Sequence, residues 1–134
     1  MPPAAYREIL KQVDLQSILL DTCAVQSNRE KIGNSLKLDI THDTTFDLKE
    51  DKTATVNSVY KLIAFKTAKK DFALKIECKY RLILAFNTEV SSEFMEIFSN
   101  LNAHVNTWPY FRELAQNMVQ RVGFPPLTLP FWKK

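Results

Sequence analysis

Trp108-Pro109-Tyr110-Phe111-Arg112-Glu113-Leu114, running on to Gly123-Phe124-Pro125-Pro126-Leu127-Thr128-Leu129-Pro130, is a helix with both ends marked. Pro109 suits a first helical position, because its fixed φ is already helical and its missing N–H would have no intrahelical partner there. Phe111, Leu114, Ala115, Met118 and Val122 recur at spacings of three and four, on one broad apolar face. Gly123 supplies a left-handed C′ residue, and Pro125 and Pro126 stop the helix from resuming.

Upstream of this helix the period changes to two. In Ser35 to Lys49, Leu36, Leu38, Ile40, Phe46 and Leu48 occupy even positions, with His42 and Thr44 between them, and no odd position is apolar. That is the pattern of a half-buried strand. Asp71 to Phe86 alternates in the same way, with Phe72, Leu74, Ile76, Cys78, Tyr80, Leu82, Leu84 and Phe86 on one face. Thr53 to Thr67 is rich in β-formers but has apolar residues at both parities, so either both faces are partly covered or the strand is bulged. From Leu15 to Val25 the alternation slips at Ile18-Leu19-Leu20, which implies a β-bulge or a strand buried on both faces. Ser27 to Asn34, Glu50-Asp51-Lys52 and Ala68-Lys69-Lys70-Asp71 are polar connections.

Helices flank these runs. Pro2-Pro3 open a short N-terminal helix with Tyr6, Ile9, Leu10 and Val13 on one side, too short to stand without docking. After the strands, Ser91 or Ser92 caps a helix carrying Phe94, Ile97, Phe98, Leu101 and Val105, which is expected to end at Asn106-Thr107-Trp108. Strands first and helices last give an α+β class: a four-stranded antiparallel sheet, meander or Greek key, with C-terminal helices on one face and a short N-terminal helix. The 134 residues form a single domain, 1–134.

Composition narrows the function. With 46% hydrophobic and 25% charged residues the chain can bury a core. No apolar run is long enough to cross a bilayer, so no membrane insertion is expected. Arg7, Glu8 and Lys11 interrupt the N-terminal apolar residues, so a signal-peptide core is lacking and a cytoplasmic location is expected. Cys23 and Cys78 then read as small hydrophobes in strands rather than a disulfide. Only two glycines occur, which removes the Gly-rich phosphate loops.

Candidates for chemistry are few. His42 and His104 have no further ligand at metal spacing and read as structural, and Cys23 has no nucleophile motif around it. Asp39, Asp43 and Asp47 share a solvated strand face with Lys37 and Lys49. A non-enzymatic chain with no cofactor and no metal is expected. Lys61, Lys66, Lys69, Lys70, Lys75, Lys79 and Arg81 raise a nucleic-acid reading, with Lys75, Lys79 and Arg81 on one face. Glu77 interrupts that face, no aromatic is interleaved for base stacking, and the net charge is only +3. The surplus is apolar instead, and includes the tail Leu127-Leu129-Phe131-Trp132. Burying each large side chain contributes about 1.5–3 kcal/mol, so a few exposed anchors could hold an unfolded segment.

The Trp108–Glu113 segment, with Met118-Val119 and Gly123 to Leu129, resembles the C-terminal signature of the SecB protein-export chaperone family. There an aromatic-Pro-Tyr-x-Arg-Glu helix runs to a (G/T)-F-P-x-L-x-L segment. Asp14 to Ile18 looks like that family's first strand and Leu36 to Ile40 like its second. The resemblance implies an ATP-independent cytoplasmic holdase for unfolded or nascent polypeptides, acting in protein export and transport. It implies dimers paired through sheet edges and a homotetramer held through the long helices, with Phe111, Leu114, Met118 and Val122 at the oligomer interface. The positions matching Leu36, Leu38 and Ile40 contribute to its client groove. The chain departs from the family in three ways. It stops at Lys134, before the final helix and the acidic tail that docks the translocase ATPase. Thr22 and Gln26 stand at first-strand acidic docking positions, beside Asp21. The net charge is positive. These departures favour a relative with a narrower client range, of the kind that protects an antitoxin.

Overall fold

The computed structural model describes residues 1–33 and 35–125. The expected tail from Leu127 to Trp132 lies outside them. The described residues form α1 (Pro3–Leu10), β1 (Val13–Ser27), β2 (Lys37–Leu48), β3 (Thr53–Phe65), β4 (Phe72–Phe86), α2 (Ser92–Asn100) and α3 (Asn102–Arg121). The strands make one antiparallel sheet in the order β1-β4-β3-β2. Three strands follow one another through tight turns, and the first lies beside the last, so the sheet is a Greek key rather than a meander. β1 and β2 are its two edges, and residues 28–36 carry the chain from one edge to the other.

The buried face is set by parity. In β3 the even residues Ala54, Val56, Ser58, Tyr60, Leu62 and Ala64 are buried, while every odd residue is half-buried. β3 pairs with β2 without interruption, so the mixed parity reflects two partly covered faces and not a bulge. β4 buries Leu74, Ile76, Cys78, Tyr80, Leu82, Leu84 and Phe86. Phe72, expected on that face, is displaced from it. The register slips between the Phe65–Phe72 and Ala64–Leu74 pairs, Ala73 is buried in its place, and Phe72 takes up Lys75 over its ring at 5.6 Å.

β1 contains two register shifts, between Leu15 and Ser17 and between Leu20 and Thr22. Residues directly opposite in a ladder point to the same side. Pairing with Phe86, Leu84, Leu82, Tyr80, Cys78 and Ile76 therefore puts Val13, Leu15, Ile18, Leu20, Cys23 and Val25 on the helix side. The parity changes from odd to even and back, which is the slip seen at Ile18-Leu19-Leu20.

The helices lie over β2, β3 and β4. Ser91 caps α2 by accepting the Phe94 N–H at 3.2 Å. The break between α2 and α3 falls at Leu101 (φ −111°, ψ −70°), earlier than the expected Asn106-Thr107-Trp108. Pro109 is thus inside α3 rather than at its start. The carbonyl it leaves without a helical donor is that of Val105, four residues back. Val105 is 67% exposed, on the outer side of the helix, where an unpaired carbonyl that water can reach costs little. Leu101 and Val105, expected on the apolar face, are both exposed. At the other end Gly123 has φ +80°, its N–H donates to the Gln120 carbonyl at 3.1 Å, and Phe124 N–H donates to the Val119 carbonyl at 3.0 Å. This is a Schellman cap, with buried Phe124 and Val119 supplying its apolar contact.

Two apolar clusters fill the space between sheet and helices. One gathers Tyr60, Leu62, Ile76, Trp108, Phe111, Ala115, Val119 and Phe124 under α3. The other gathers Val56, Leu82, Leu84, Phe94, Met95 and Phe98 under α2. Tyr6 of α1 docks on the second cluster, its ring stacked on Phe94 at 4.9 Å and its hydroxyl donating to Asn102 Oδ1.

Candidate functional site

The residues expected to meet a client stand at the start of β2. Leu38 and Ile40 pair with Ala64 and Leu62, whose side chains are buried, so both point to the helix side. Ile40 and Leu36 are half-buried against the cluster under α3, and Leu38 is 39% exposed. Among the described residues β2 is an edge, with no strand opposite its outer backbone N–H and C=O groups. Apolar side chains beside an open strand edge form the kind of surface on which an extended segment can add a strand.

The residues expected at an oligomer interface divide. Leu114, Met118 and Val122 are half-buried around the same cluster as Leu36 and Ile40. Phe111 has no exposed surface. Its ring lies parallel to that of Tyr60 (4.8 Å between centroids, 9° between planes), so it holds α3 to the sheet of its own protomer. On the β1 side of α3, Ile18, Leu20, Tyr80, Tyr110, Glu113 and Leu114 line a cavity of about 220 Å³. Tyr110 at its rim is 53% exposed.

Between these two flanks lies a polar cluster that sequence spacing did not reveal. His104 Nδ1 meets His42 Nδ1, His42 Nε2 meets Ser58 Oγ, and Ser58 Oγ lies 3.0 Å from Thr107 Oγ1. Tyr60 Oη lies 2.8 Å from the same Thr107 oxygen. Counting protons gives the chain a direction. Thr107 has one hydroxyl proton, and it points to the Ala103 carbonyl at 2.6 Å. Tyr60 and Ser58 must then donate to Thr107, His42 must donate from Nε2 to Ser58, and His104 must donate from Nδ1 to His42. Burial pushes the Tyr60 hydroxyl up to about 12.

Ser58 beside His42 superficially resembles a nucleophile and its base. Ser58 has no exposed surface, however, so no substrate atom could reach it, and the cluster joins β2 and β3 to α3. Among the described residues no three His, Cys, Asp or Glu side chains come together as a metal site.

The basic residues are dispersed by partners. Lys61 lies 3.7 Å from Glu77, Lys69 lies 3.0 Å from Asp39, and Arg81 Nη2 lies 2.9 Å from Asp21. These exposed pairs contribute little stability, but they lower the charge available to phosphates. Among the described residues no helix is long and apolar enough to cross a membrane.

Among solved structures, the chain matches the Mycobacterium tuberculosis SecB-like chaperone Rv1957, solved in complex with a ChAD peptide from the Rv1956 HigA1 antitoxin. The TM-score is 0.85 at 15% identity, over 98% of this chain and 98% of that one. A protein of unknown function from Streptococcus agalactiae matches at TM-score 0.48 and 14% identity, over 90% of this chain and 98% of that one. No family model and no curated protein matches the sequence. Over the described residues the fold is SecB-like, including the short N-terminal helix, the Greek-key sheet and the long helix packed upon it.

Proposed function

We propose that this SecB-like chain is a non-enzymatic chaperone that holds an extended apolar segment of one dedicated partner, an antitoxin being the leading candidate. The observation that carries this reading is the match along both whole chains to a chaperone solved with an antitoxin peptide. The surface supports it. Leu36, Leu38 and Ile40 sit beside the free edge of β2 and are assigned to the client, with backbone pairing supplying affinity and the side chains supplying selectivity. Leu114, Met118 and Val122 are assigned to contacts between copies of the chain, and Phe111 is left out because its own protomer uses it fully. The exposed β1 edge, with Leu15, Leu19 and Leu20, is assigned to pairing with a second copy in the cytoplasm. Nucleic acid is disfavoured by the ion pairs of Lys61, Lys69 and Arg81.

Aggregation assays without ATP test the reading. One client is the antitoxin or other aggregation-prone protein encoded beside this chain, and the other is a chemically denatured enzyme unrelated to it. Protection of the first at near-equimolar chaperone, with little effect on the second, is expected. Equal protection of both would favour a general holdase of the export type. Protection of neither would refute chaperone function.

A further inference from the structure

Cys23 and Cys78 face each other across the β1–β4 ladder. Their sulfurs are 3.5 Å apart, and both thiols are free. Directly opposed residues in an antiparallel pair place their Cβ atoms about 4.5–5.5 Å apart, against about 3.5–4.5 Å in disulfides, so bonding them takes side-chain rotation together with a local approach of the two strands by about 1 Å. Access to the two sulfurs is unequal. Cys23 is exposed on the edge strand, two residues beyond the second register shift, while Cys78 has no exposed surface and lies in the cluster under α3. Burial first, and the S–H···S contact with Cys23 second, push the Cys78 thiol well up, so it stays protonated. A solvent-reachable sulfur in contact with a buried thiol is the arrangement in which one cysteine meets an oxidant and the other resolves the product.

We infer that Cys23 and Cys78 form a reversible two-electron redox site, oxidised by a hydroperoxide to an intramolecular disulfide that fastens edge strand β1 to β4. In the first step the Cys23 thiolate attacks hydrogen peroxide. The S–O bond forms, the O–O bond breaks, and hydroxide leaves, taking up a proton to become water. In the second step Cys78 Sγ bonds to Cys23 Sγ, the S–O bond of the sulfenic acid breaks, and its hydroxyl departs with the Cys78 proton as water. Two thiols and one peroxide give one disulfide and two waters, the sulfur pair losing two electrons and the peroxide gaining them. A dithiol reverses the change by exchange. The site is independent of the proposed chaperone activity. The cross-link would add a covalent tie to the part of β1 beyond its second bulge, which the described residues hold mainly through the β4 ladder.

The test is intact-mass and non-reducing peptide analysis of the full chain after brief exposure to hydrogen peroxide. The expected result is the loss of two hydrogens, a Cys23–Cys78 linked peptide, an apparent Tm raised by about 5–10 °C, and full reversal by dithiothreitol. Cys23→Ser, at an exposed position, should abolish both the linkage and the Tm shift. Cys78→Ala should leave Cys23 to gain oxygen atoms instead of forming a bond. The inference is overturned if the wild-type chain gains oxygen on Cys23 while Cys78 stays alkylatable after unfolding, or if the cross-link that forms joins two chains.

Discussion

The two edges of the sheet are built in opposite ways. β2 keeps an unbroken register with β3, sends its even residues under the helices, and is tied to α3 through His42, Ser58, Thr107 and His104. β1 changes face twice and leaves Leu19 and Leu20 46% and 47% exposed. The same sheet thus has one edge fixed from above by a helix and one held chiefly by its neighbouring strand. An open edge with exposed leucines is a liability in a lone protomer and suits association with another chain. A rigid edge with a single protruding leucine, Leu38, suits selective contact with a small segment. In the proposed reading, assembly therefore falls to β1 and client contact to β2.

The strongest way to break this contrast is to remove what holds α3 down. Phe111→Ala deletes a fully buried ring stacked on Tyr60 and should cost about 3–5 kcal/mol in denaturant unfolding, affecting the β2 side and the helix together. A loss below about 1 kcal/mol would show that the helix is held elsewhere.

Alkaline pH acts on the same contact. The Tyr60 hydroxyl titrates at about 12 in the fold against 10.0 when free of it, because burial disfavours the phenolate. The folded chain therefore binds more protons between those values. Stability is full below pH 10 and falls as pH rises through the folded value, by about 2–3 kcal/mol for this group. Tyr6, raised to about 12 by burial, and Tyr80, raised further by burial, act in the same direction. Tyr6 is partly in water, so its share is smaller. Tyr60→Phe should flatten the pH 10–12 limb of a denaturation series, and an unchanged limb would remove Tyr60 from the account.

The polar tie sharpens the contrast further. Thr107→Val leaves Ser58 and Tyr60 without their shared acceptor and should cost about 1–3 kcal/mol, with faster hydrogen exchange in β2 and no change in β1. Equal acceleration in both edges would erase the distinction. The smallest effect on the protomer belongs to the other edge. Leu19→Ser with Leu20→Ser should alter folding stability by no more than about 0.5 kcal/mol per site, yet shift light-scattering mass toward the monomer. An unchanged mass would take assembly away from β1.

Much of this architecture was written locally. The even parity of β2 and β4, the slip at Ile18-Leu19-Leu20, the Ser91 cap and the Gly123 C′ position each depend on neighbours within a few residues. Those neighbours set which backbone and which face are favourable. Other features depend on distant residues. His42 and His104 are 62 positions apart and meet only once the first turn of α3 is packed over the sheet. Pro109 has the chemistry of a helix start, and its place inside α3, one turn beyond the exposed Val105, depends on how the helix packs. Phe72 continues the apolar alternation perfectly, but a register shift opposite Phe65 removes it from the face. For the site, spacing placed Leu36, Leu38 and Ile40 on one strand face and only the resemblance pointed to them as client residues, whereas the role of Phe111 within its own protomer could be read only from packing.

Calorimetric titration of an extended apolar peptide from the partner into wild-type chain and Leu38→Asp tests the central claim most directly. Placing a carboxylate at the exposed leucine of the β2 edge should weaken binding at least about tenfold, equivalent to about 1.4 kcal/mol, while leaving Tm and oligomer mass unchanged. Equal affinity for the two chains would contradict the assignment of the client to this edge.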